Sequence, residues 1–200
     1  MDPAGLVKTR TLTGADLEAA LPALAALRIE VFRAFPYLYA GTEDYEQRYL
    51  RDFAAAKDSF VVAAETEAGR IVGCATGSAI TGHHDAFAAP LAAAGYDLAS
   101  TFYFGESVLL ADYRGHGLGH AFFDAREAHA RARGYERTCF CAVERAKDHP
   151  LRPADHSPLD AFWTKRGYRK LDGLLTTFDW PTTPGGPSET HAMGYWMRSF

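Results

Sequence analysis

Residues 113–119 read Tyr113-Arg114-Gly115-His116-Gly117-Leu118-Gly119 and join two segments of different periodicity. The segment before them, 101–110 (TFYFGESVLL), is rich in β-forming residues. The segment after them carries apolar residues at helical spacing as far as Ala132. A strand that leads through glycines into a helix presents unpaired N–H groups and a partial positive charge, which together bind phosphate. Arg114 adds a cation at the entrance of this loop.

Other phosphate-binding signatures fit this loop less well. The dinucleotide fingerprint requires G-x-G-x-x-G, and His120 stands where its third glycine should be. A Walker loop requires Gly-Lys followed by Ser or Thr, and this stretch contains no lysine. A glycine-rich turn that only starts a helix remains the alternative at this point.

The rest of the chain alternates between strand and helix patterns, which predicts a mixed α/β sheet with helices on both faces. Asp16 is the predicted N-cap of the first helix, and Thr42 or Asp44 caps the second. The predicted strands are 6–13, 59–65, 70–79, 101–110, 137–144, 171–180 and 191–197. The predicted helices are 16–35, 44–53, 116–132 and 159–165, and residues 81–100 form a loop or short-helix insertion. No linker divides the chain, so we expect one domain over residues 1–200.

Composition excludes several classes of function. The 21 Lys and Arg residues against 25 Asp and Glu residues leave a net charge of −4, which provides no basic field for nucleic acid or an anionic membrane. The three cysteines indicate neither a disulfide framework nor a zinc site. No apolar run reaches the ~20 residues of a membrane span. We therefore expect a reduced, cytoplasmic protein that binds its anion locally.

The order of elements around the loop resembles the GNAT superfamily of acetyl-CoA-dependent N-acetyltransferases over residues 59–180. Arg114, Gly117 and Gly119 match that family's R-x-x-G-x-G motif, and the segment from Trp163 to Tyr168 stands at its usual Tyr-x-x-x-Gly-Phe ending. The resemblance implies a mainly antiparallel sheet of about seven strands and acetyl-CoA as co-substrate. It assigns the pyrophosphate to Arg114, Gly115, His116, Gly117, Leu118 and Gly119, and the pantetheine arm to Leu109 and Leu110.

The chemistry that the resemblance implies is direct attack of an amine on a thioester, so the amine must lose a proton. Glu106 is the candidate general base, since it lies on the strand leading to the loop, among apolar neighbours that make its carboxylate a stronger base. Many family members place a base on this strand. The alternative is a glutamate that faces solvent or pairs with an arginine.

The general acid is less well defined. Trp163 holds the position of the family's usual acidic tyrosine, and an indole does not transfer a proton usefully. Water, Tyr103, His156 or Tyr195 could protonate the leaving thiolate instead. Trp163 itself is interpreted as a packing residue, against the protein, the pantetheine or the acceptor.

Further residues have weaker assignments. Phe35, Tyr37 and Tyr39 either line the acceptor cleft or anchor a loop. The polar loop 148–158 either binds a polar substrate or is simply solvated, and the second reading is favoured. His83-His84-Asp85 lacks further ligands, so no metal site is expected, and Cys139 and Cys141 are interpreted as core residues.

These inferences combine into one function. The sequence predicts an N-acetyltransferase that moves an acetyl or short acyl group from acetyl-CoA to a primary amine within a ternary complex. A small-molecule amine is favoured as the acceptor. Two alternatives stay open: an acyl-CoA-binding sensor with little turnover, and a non-enzymatic interaction domain. The aromatic strand around Tyr195 either closes the sheet or pairs across a homodimer.

Overall fold

A computed structural model describes residues 7–82 and 85–200. Its strands are β1 (Val7–Leu12), β2 (Phe60–Thr66), β3 (Ile71–Ala79), β4 (Thr101–Tyr103), β5 (Ser107–Leu109), β6 (Arg137–Val143), β7 (Arg169–Pro181) and β8 (Ser188–Ser199). Its α-helices are α1 (Gly14–Phe32), α2 (Glu43–Ala54), α3 (Asp85–Ala93), α4 (Leu118–Ala132) and α5 (Asp160–Lys165). Leu6, His83 and His84 lie outside the described residues.

The strands form one mixed sheet in the order β1-β2-β3-β4-β6-β8-β7, with β5 paired to β3 beside β4. The β4–β6 pair is parallel, and all the other recorded pairs are antiparallel. This confirms the predicted mixed α/β sheet with mainly antiparallel pairing. The eighth strand arises because the predicted strand 101–110 is interrupted at residues 104–106.

Both faces of the sheet are covered by helices. Successive residues of a strand point to opposite faces, and Val61–Ala64 are all buried, so β2 is covered on both sides. Helices α1 and α4 both contact β3. An aromatic cluster including Phe123 and Phe140 lies between α4, α5 and β6. The glycine loop therefore leads from an inner strand of the sheet into a covering helix.

Most predicted element boundaries are confirmed within a few residues, but the start of α1 is not. Helix α1 begins at Gly14 with Thr13 at the N-cap, so Asp16 lies in the first helical turn instead of capping it. Gly14 has a φ of +50°, which lets the chain enter the helix earlier than the Asp16 pattern indicates. Thr42 is the N-cap of α2, as one of the two predicted alternatives.

The predicted insertion contains α3, which packs against β7. Phe87 and Leu91 of this helix are buried in a core shared with Trp180 and Tyr195. The insertion therefore adds a second part of the core beneath β7 and β8.

Candidate functional site

The break in the 101–110 segment opens a gap in the sheet. Strand β4 pairs in parallel with the start of β6, and the final bond of this pair runs from the Phe104 N–H to the Cys139 carbonyl oxygen at 2.8 Å. After the break, β5 pairs with β3. No ladder within residues 7–82 and 85–200 joins β5 to the second half of β6. We call the opening between Ser107–Leu109 and Phe140–Val143 the fork.

The backbone of β5 presents polar groups to the fork. The Glu106 carbonyl accepts a bond from the Thr76 N–H, and the Leu110 N–H donates to the Val72 carbonyl, each at 3.0 Å. Residues 106 and 110 therefore face β3. Because backbone groups alternate along a strand, those of Ser107 and Leu109 face the other way, into the fork. Leu109 thus has the orientation expected for pairing with an extended ligand, whereas the Leu110 N–H is already used.

A buried arginine of α4 holds the break in place. The Arg126 guanidinium donates to the carbonyl oxygens of Thr76 (3.2 Å) and Glu106 (3.0 Å), and to the Ser107 hydroxyl oxygen at 2.7 Å. It also lies 4.1 Å from the centre of the Phe104 ring. Arg126 is not among the residues predicted from the sequence. The feature that could have identified it is a charged residue four positions after Phe122, on the apolar face of the helix.

Burial disfavours the charged form of this arginine. Arg126 is 1% exposed, and desolvation lowers its pKa to about 10. The side chain is nevertheless a cation at neutral pH. It neutralises the carbonyl dipoles that converge where the strand breaks.

The glycine loop has the conformation that an anion site requires. Gly115 and Gly117 have φ values of +82° and +83°, a region that favours glycine. Gly117 is the N-cap of α4, with no side chain capping the helix. Within the described part of the chain, the N–H groups of Gly115 through His120 have no hydrogen-bond partner. Six adjacent donors are therefore free to bind an anion.

The side chains of the loop leave its open side clear. Arg114 is exposed, and its Nε donates to the Leu109 carbonyl at 3.1 Å, which connects the loop to the edge of the fork. His116 is exposed, whereas Leu118 is buried in the core. A Cβ atom on Gly119 would lie 3.6 Å from the Phe162 ring, in ordinary contact. The predicted loop residues and Leu109 are thus brought together at one end of the fork.

Glu106 lies at the other end of β5, where its carboxylate is buried. One oxygen is 2.6 Å from Nη1 of Arg28, and the other accepts a long bond of 3.4 Å from the Tyr49 hydroxyl. The residue is 8% exposed. The sequence left three environments open for Glu106: burial among apolar residues, exposure to solvent, or pairing with an arginine. The structure shows the burial and the arginine partner, and it does not show exposure to solvent.

Arg28 connects Glu106 to the first two helices. It also forms a buried ion pair with Glu46, which is fully buried and accepts a bond from the Tyr39 hydroxyl. The Arg28 guanidinium lies 4.5 Å from the centre of the Tyr49 ring. Two carboxylates thus share one arginine, an arrangement that sequence reasoning missed because its members are far apart along the chain. We call Arg28, Tyr39, Glu46, Tyr49 and Glu106 the carboxylate cluster.

The candidate acids occupy three different environments. Burial and the neighbouring thiols of Cys141 and Cys139 raise the pKa of Tyr103 well above its usual value, at the start of the break. The Tyr195 hydroxyl donates to the Phe87 carbonyl at 2.8 Å, so its proton is already engaged. His156 lies far along the chain, and its ring contacts Phe35 edge-on at 4.7 Å.

Trp163 packs within the protein. Its ring lies 5.0 Å from the rings of both Phe140 and Trp196, in the aromatic cluster between α4, α5 and β6. This position accords with the packing interpretation. Phe140 lies on the half of β6 that borders the fork, so the contact between Trp163 and Phe140 stabilises that side of the fork.

The aromatic residues after α1 occupy three different places. Phe35 contacts His149 and His156 of the polar loop 148–158. Tyr37 lies 4.6 Å from the Phe32 ring and 6.0 Å from the Trp180 ring. Tyr39 belongs to the carboxylate cluster.

Tyr37 is a half-buried phenol in the loop between α1 and α2. Desolvation, with smaller contributions from Cys141 and Glu106, raises the pKa of Tyr37 to about 12. Its ring packs against the cluster that contains Tyr103 and Cys141. Tyr37 therefore anchors its loop, and its place in an acceptor cleft stays a prediction.

The cysteines are buried free thiols. Burial raises the pKa of Cys141 and that of Cys139, which keeps both thiols protonated and poorly nucleophilic. Within the described residues, no group of three potential ligands could hold a metal ion. No helix within residues 7–82 and 85–200 is long and apolar enough to cross a membrane.

Three histidines, of which His191 is buried and His129 and His156 are half-buried, predict a loss of stability in mild acid. Desolvation lowers the pKa values of His129, His156 and His191 below 6.5. The unfolded chain then binds more protons than the folded one as the pH falls below about 6.5, so the free energy of unfolding decreases. Urea unfolding at pH 7.5 and pH 5.5 measures the difference. His129→Asn should reduce this loss of stability. His116→Asn, at an exposed position, is the control and should not reduce it. Equal free energies of unfolding at the two pH values would contradict the expectation.

Comparison with known proteins identifies the family. The model of the Acetyltransferase (GNAT) family matches residues 24–154, well over half of the chain. The chain belongs to the GNAT acetyltransferase family. The match includes the fork, the carboxylate cluster and the glycine loop. No curated protein matches the sequence significantly.

Solved structures share the fold across nearly the whole chain. A proposed acetyltransferase from Acinetobacter baylyi superimposes with a TM-score of 0.65 at 12% identity, covering 100% of this chain and 95% of the other. A phosphinothricin acetyltransferase from Sinorhizobium meliloti in complex with acetyl-CoA gives 0.61 at 14% identity, covering 97% and 88%. A proposed acetyltransferase from Salmonella typhimurium with its cofactor acetyl-CoA gives 0.59 at 11% identity, covering 96% and 93%. At these identities the likeness shows the fold alone.

Proposed function

We propose that this enzyme transfers an acetyl or short acyl group from acetyl-CoA to a primary amine, within a ternary complex. The observation that carries the proposal is the row of six unpaired N–H groups from Gly115 to His120, placed at the end of an open fork. Two structurally similar proteins hold acetyl-CoA. The proposal treats residues 1–200 as one catalytic domain.

The proposed donor site uses the loop for phosphate and the fork for the pantetheine arm. The free N–H groups and the N-terminal charge of α4 bind the pyrophosphate, with Arg114 as an additional cation. The backbone of Leu109 pairs with the amides of the extended arm. The thioester then lies between β5 and β6, close to Glu106.

Arg114→Ala is expected to weaken acetyl-CoA binding about tenfold, because one charge-assisted contact is lost while the backbone donors remain. The acceptor KM should not change. Isothermal titration with acetyl-CoA measures the affinity. Arg70→Ala, which removes an exposed arginine from the β2–β3 turn, is the matched control. An unchanged affinity in Arg114→Ala would contradict the placement of the pyrophosphate.

Glu106 is proposed as the general base. Its support is the position directly before β5, at one end of the fork, and a buried carboxylate with one oxygen that accepts a long bond from Tyr49. The ion pair with Arg28 offers a rival role, in which Glu106 anchors α1 to the sheet. Replacement of the carboxylate separates the two roles, because a base affects turnover and an anchor affects stability.

The proton for the leaving thiolate has two proposed sources. Tyr103 directly precedes the break in the strand, and its raised pKa keeps its hydroxyl protonated. Water entering the open fork is the other source. His156 remains a weaker candidate, because it is packed on Phe35 at the acceptor side.

The acceptor is proposed to be a small-molecule amine that enters past Phe35 and Tyr37. The net charge of −4 provides no attraction for nucleic-acid-bound partners. Three unpaired buried thiols suit a reducing compartment, so we propose the cytoplasm. Pairing of two chains into a homodimer remains a proposal that rests on the sequence alone.

Thermal shift with acetyl-CoA, followed by thiol release on a panel of primary amines, tests the proposed function. An acetyltransferase should be stabilised by acetyl-CoA and should release thiol with at least one amine. Stabilisation without release on any amine would favour a sensor of acyl-CoA. The absence of any thermal shift would favour an interaction domain and overturn the proposal.

A further inference from the structure

One arginine binds the loop between α1 and α2 to the segment that follows β6. Arg145 follows β6 and uses all three of its guanidinium nitrogens. Nε donates to the Pro36 carbonyl at 2.7 Å, and Nη2 donates to the Tyr37 carbonyl at 3.1 Å. Nη1 donates to Nδ1 of His191 at 3.0 Å. Two successive carbonyl groups of the loop are thus bound by a single planar group.

The β7–β8 hairpin binds the same loop. Nε1 of Trp180 donates to the Tyr37 carbonyl at 3.0 Å, and the Ala40 N–H donates to the Pro181 carbonyl at 2.9 Å. The His191 ring stacks on Trp180 with ring centres 3.9 Å apart. The loop is therefore held by β7 and by the segment that follows β6, with His191 of β8 behind both, although it connects the first two helices.

The contact with Arg145 defines the protonation of His191. A guanidinium can only donate, so Nδ1 of His191 must be an acceptor and the ring must be neutral. The proton then lies on Nε2, which is 3.3 Å from the Trp180 carbonyl oxygen and donates to it. Protonation of His191 would put a second cation against Arg145.

We propose that Arg145 and neutral His191 form a positioning pair that fixes the acceptor-binding loop and so determines affinity for the amine. The inference rests on the proposed function and adds residues outside its donor site. Tyr37 is the link: its carbonyl is bound by Arg145, and its ring packs against the cluster that contains Tyr103 and Cys141, of which Cys141 lies on the half of β6 that borders the fork. A loop released from Arg145 would let this ring move and would leave the donor site unchanged.

The charged groups around His191 determine the pH at which its ring is protonated and its contact with Arg145 is lost. Arg145 opposes protonation, whereas Glu189 of β8 and Asp179 of β7 favour it, and burial of the ring opposes it. Burial is the largest of these effects, so His191 is neutral at pH 7.5. Acidification toward pH 5.5 should therefore raise the acceptor KM in the wild-type enzyme.

Three variants test the pair with the best amine from the panel. Arg145→Lys keeps the charge but loses the planar group, and His191→Phe keeps the ring but loses the acceptor. Each should raise the acceptor KM about tenfold at pH 7.5, with the acetyl-CoA KM changed less than about twofold. His191→Asn places an amide oxygen near the position of Nδ1. It should retain the wild-type KM at pH 7.5 and lose the rise at pH 5.5.

Hydrogen exchange gives a readout besides activity. Exchange in the peptide covering residues 33–41 should become faster in Arg145→Lys and His191→Phe, and should stay at the wild-type rate in His191→Asn. Arg70→Lys, on the distant β2–β3 turn, is the control and should change neither measurement.

Each result bears on only one of the two proposals. Wild-type protein that neither binds acetyl-CoA nor releases thiol would overturn the proposed function. Active wild-type enzyme whose Arg145→Lys and His191→Phe variants keep their acceptor KM would overturn the positioning pair. Equal increases in both KM values would also overturn it, because they would indicate general loosening of the fold.

Discussion

Glu106→Gln is expected to lower kcat about 100-fold or more, because the amide keeps the shape of the side chain and cannot accept a proton from the amine. Acetyl-CoA affinity should be nearly unchanged, since the donor site lies at the other end of β5. The measurement is thiol release under saturating acetyl-CoA across pH 6 to 9.

Glu46→Gln is the matched control, because it removes a second carboxylate from the same arginine without touching the fork. Both variants leave Arg28 with one carboxylate and should lose similar stability. If Glu106 is the base, only its variant loses most of its turnover. Equal turnover in the two variants, with equal loss of stability, would show that Glu106 is an anchor.

Arg126→Leu is expected to reduce the free energy of unfolding by about 3 kcal/mol or more. The leucine removes three hydrogen bonds from a charged donor, to the Thr76 and Glu106 carbonyls and to the Ser107 hydroxyl, and each such bond contributes roughly 1.5–3 kcal/mol, although the two carbonyls keep their backbone donors. Urea unfolding at pH 7.5 measures the change. Folded Arg126→Leu should also bind acetyl-CoA more weakly, because the break that opens the fork is no longer held.

Arg131→Leu is the control on the same helix. Its guanidinium lies 3.8 Å from the centre of the Phe200 ring at the surface, a contact worth less than about 1 kcal/mol. A loss of less than about 1 kcal/mol in Arg126→Leu would contradict the structural role assigned to Arg126.

The sequence predicts the conformation of the glycine loop well because its signals are local. The positive φ angles of Gly115 and Gly117 follow from glycine at those positions, and helical periodicity locates α4 within two residues. Gly134, just after that helix, has a φ of +81° for the same reason. Residue spacing alone is enough for features that a few neighbours determine.

The sequence predicts the acceptor side less well, because long-range contacts determine it. The pairing of Arg28 with Glu106 joins residues 78 positions apart, and Arg145 binds carbonyl groups more than 100 positions earlier. The strand pattern of 101–110 is weakened at Gly105 and Glu106, two residue types that strands disfavour, but residue type alone does not show that β4 and β5 have different partners. The break is produced by Arg126 and by the separate partners of β4 and β5.

Amide chemical shifts during titration with acetyl-CoA test most directly whether the N-terminus of α4 holds the donor. A ¹⁵N–¹H correlation spectrum resolves the backbone N–H groups of Gly115 through His120 and of Leu109. Saturating acetyl-CoA should shift these resonances more than any others, and Arg114→Ala should require about tenfold more ligand for the same change. Binding that leaves the resonances of Gly115 through His120 in place, or no binding at all, would contradict the proposed donor site.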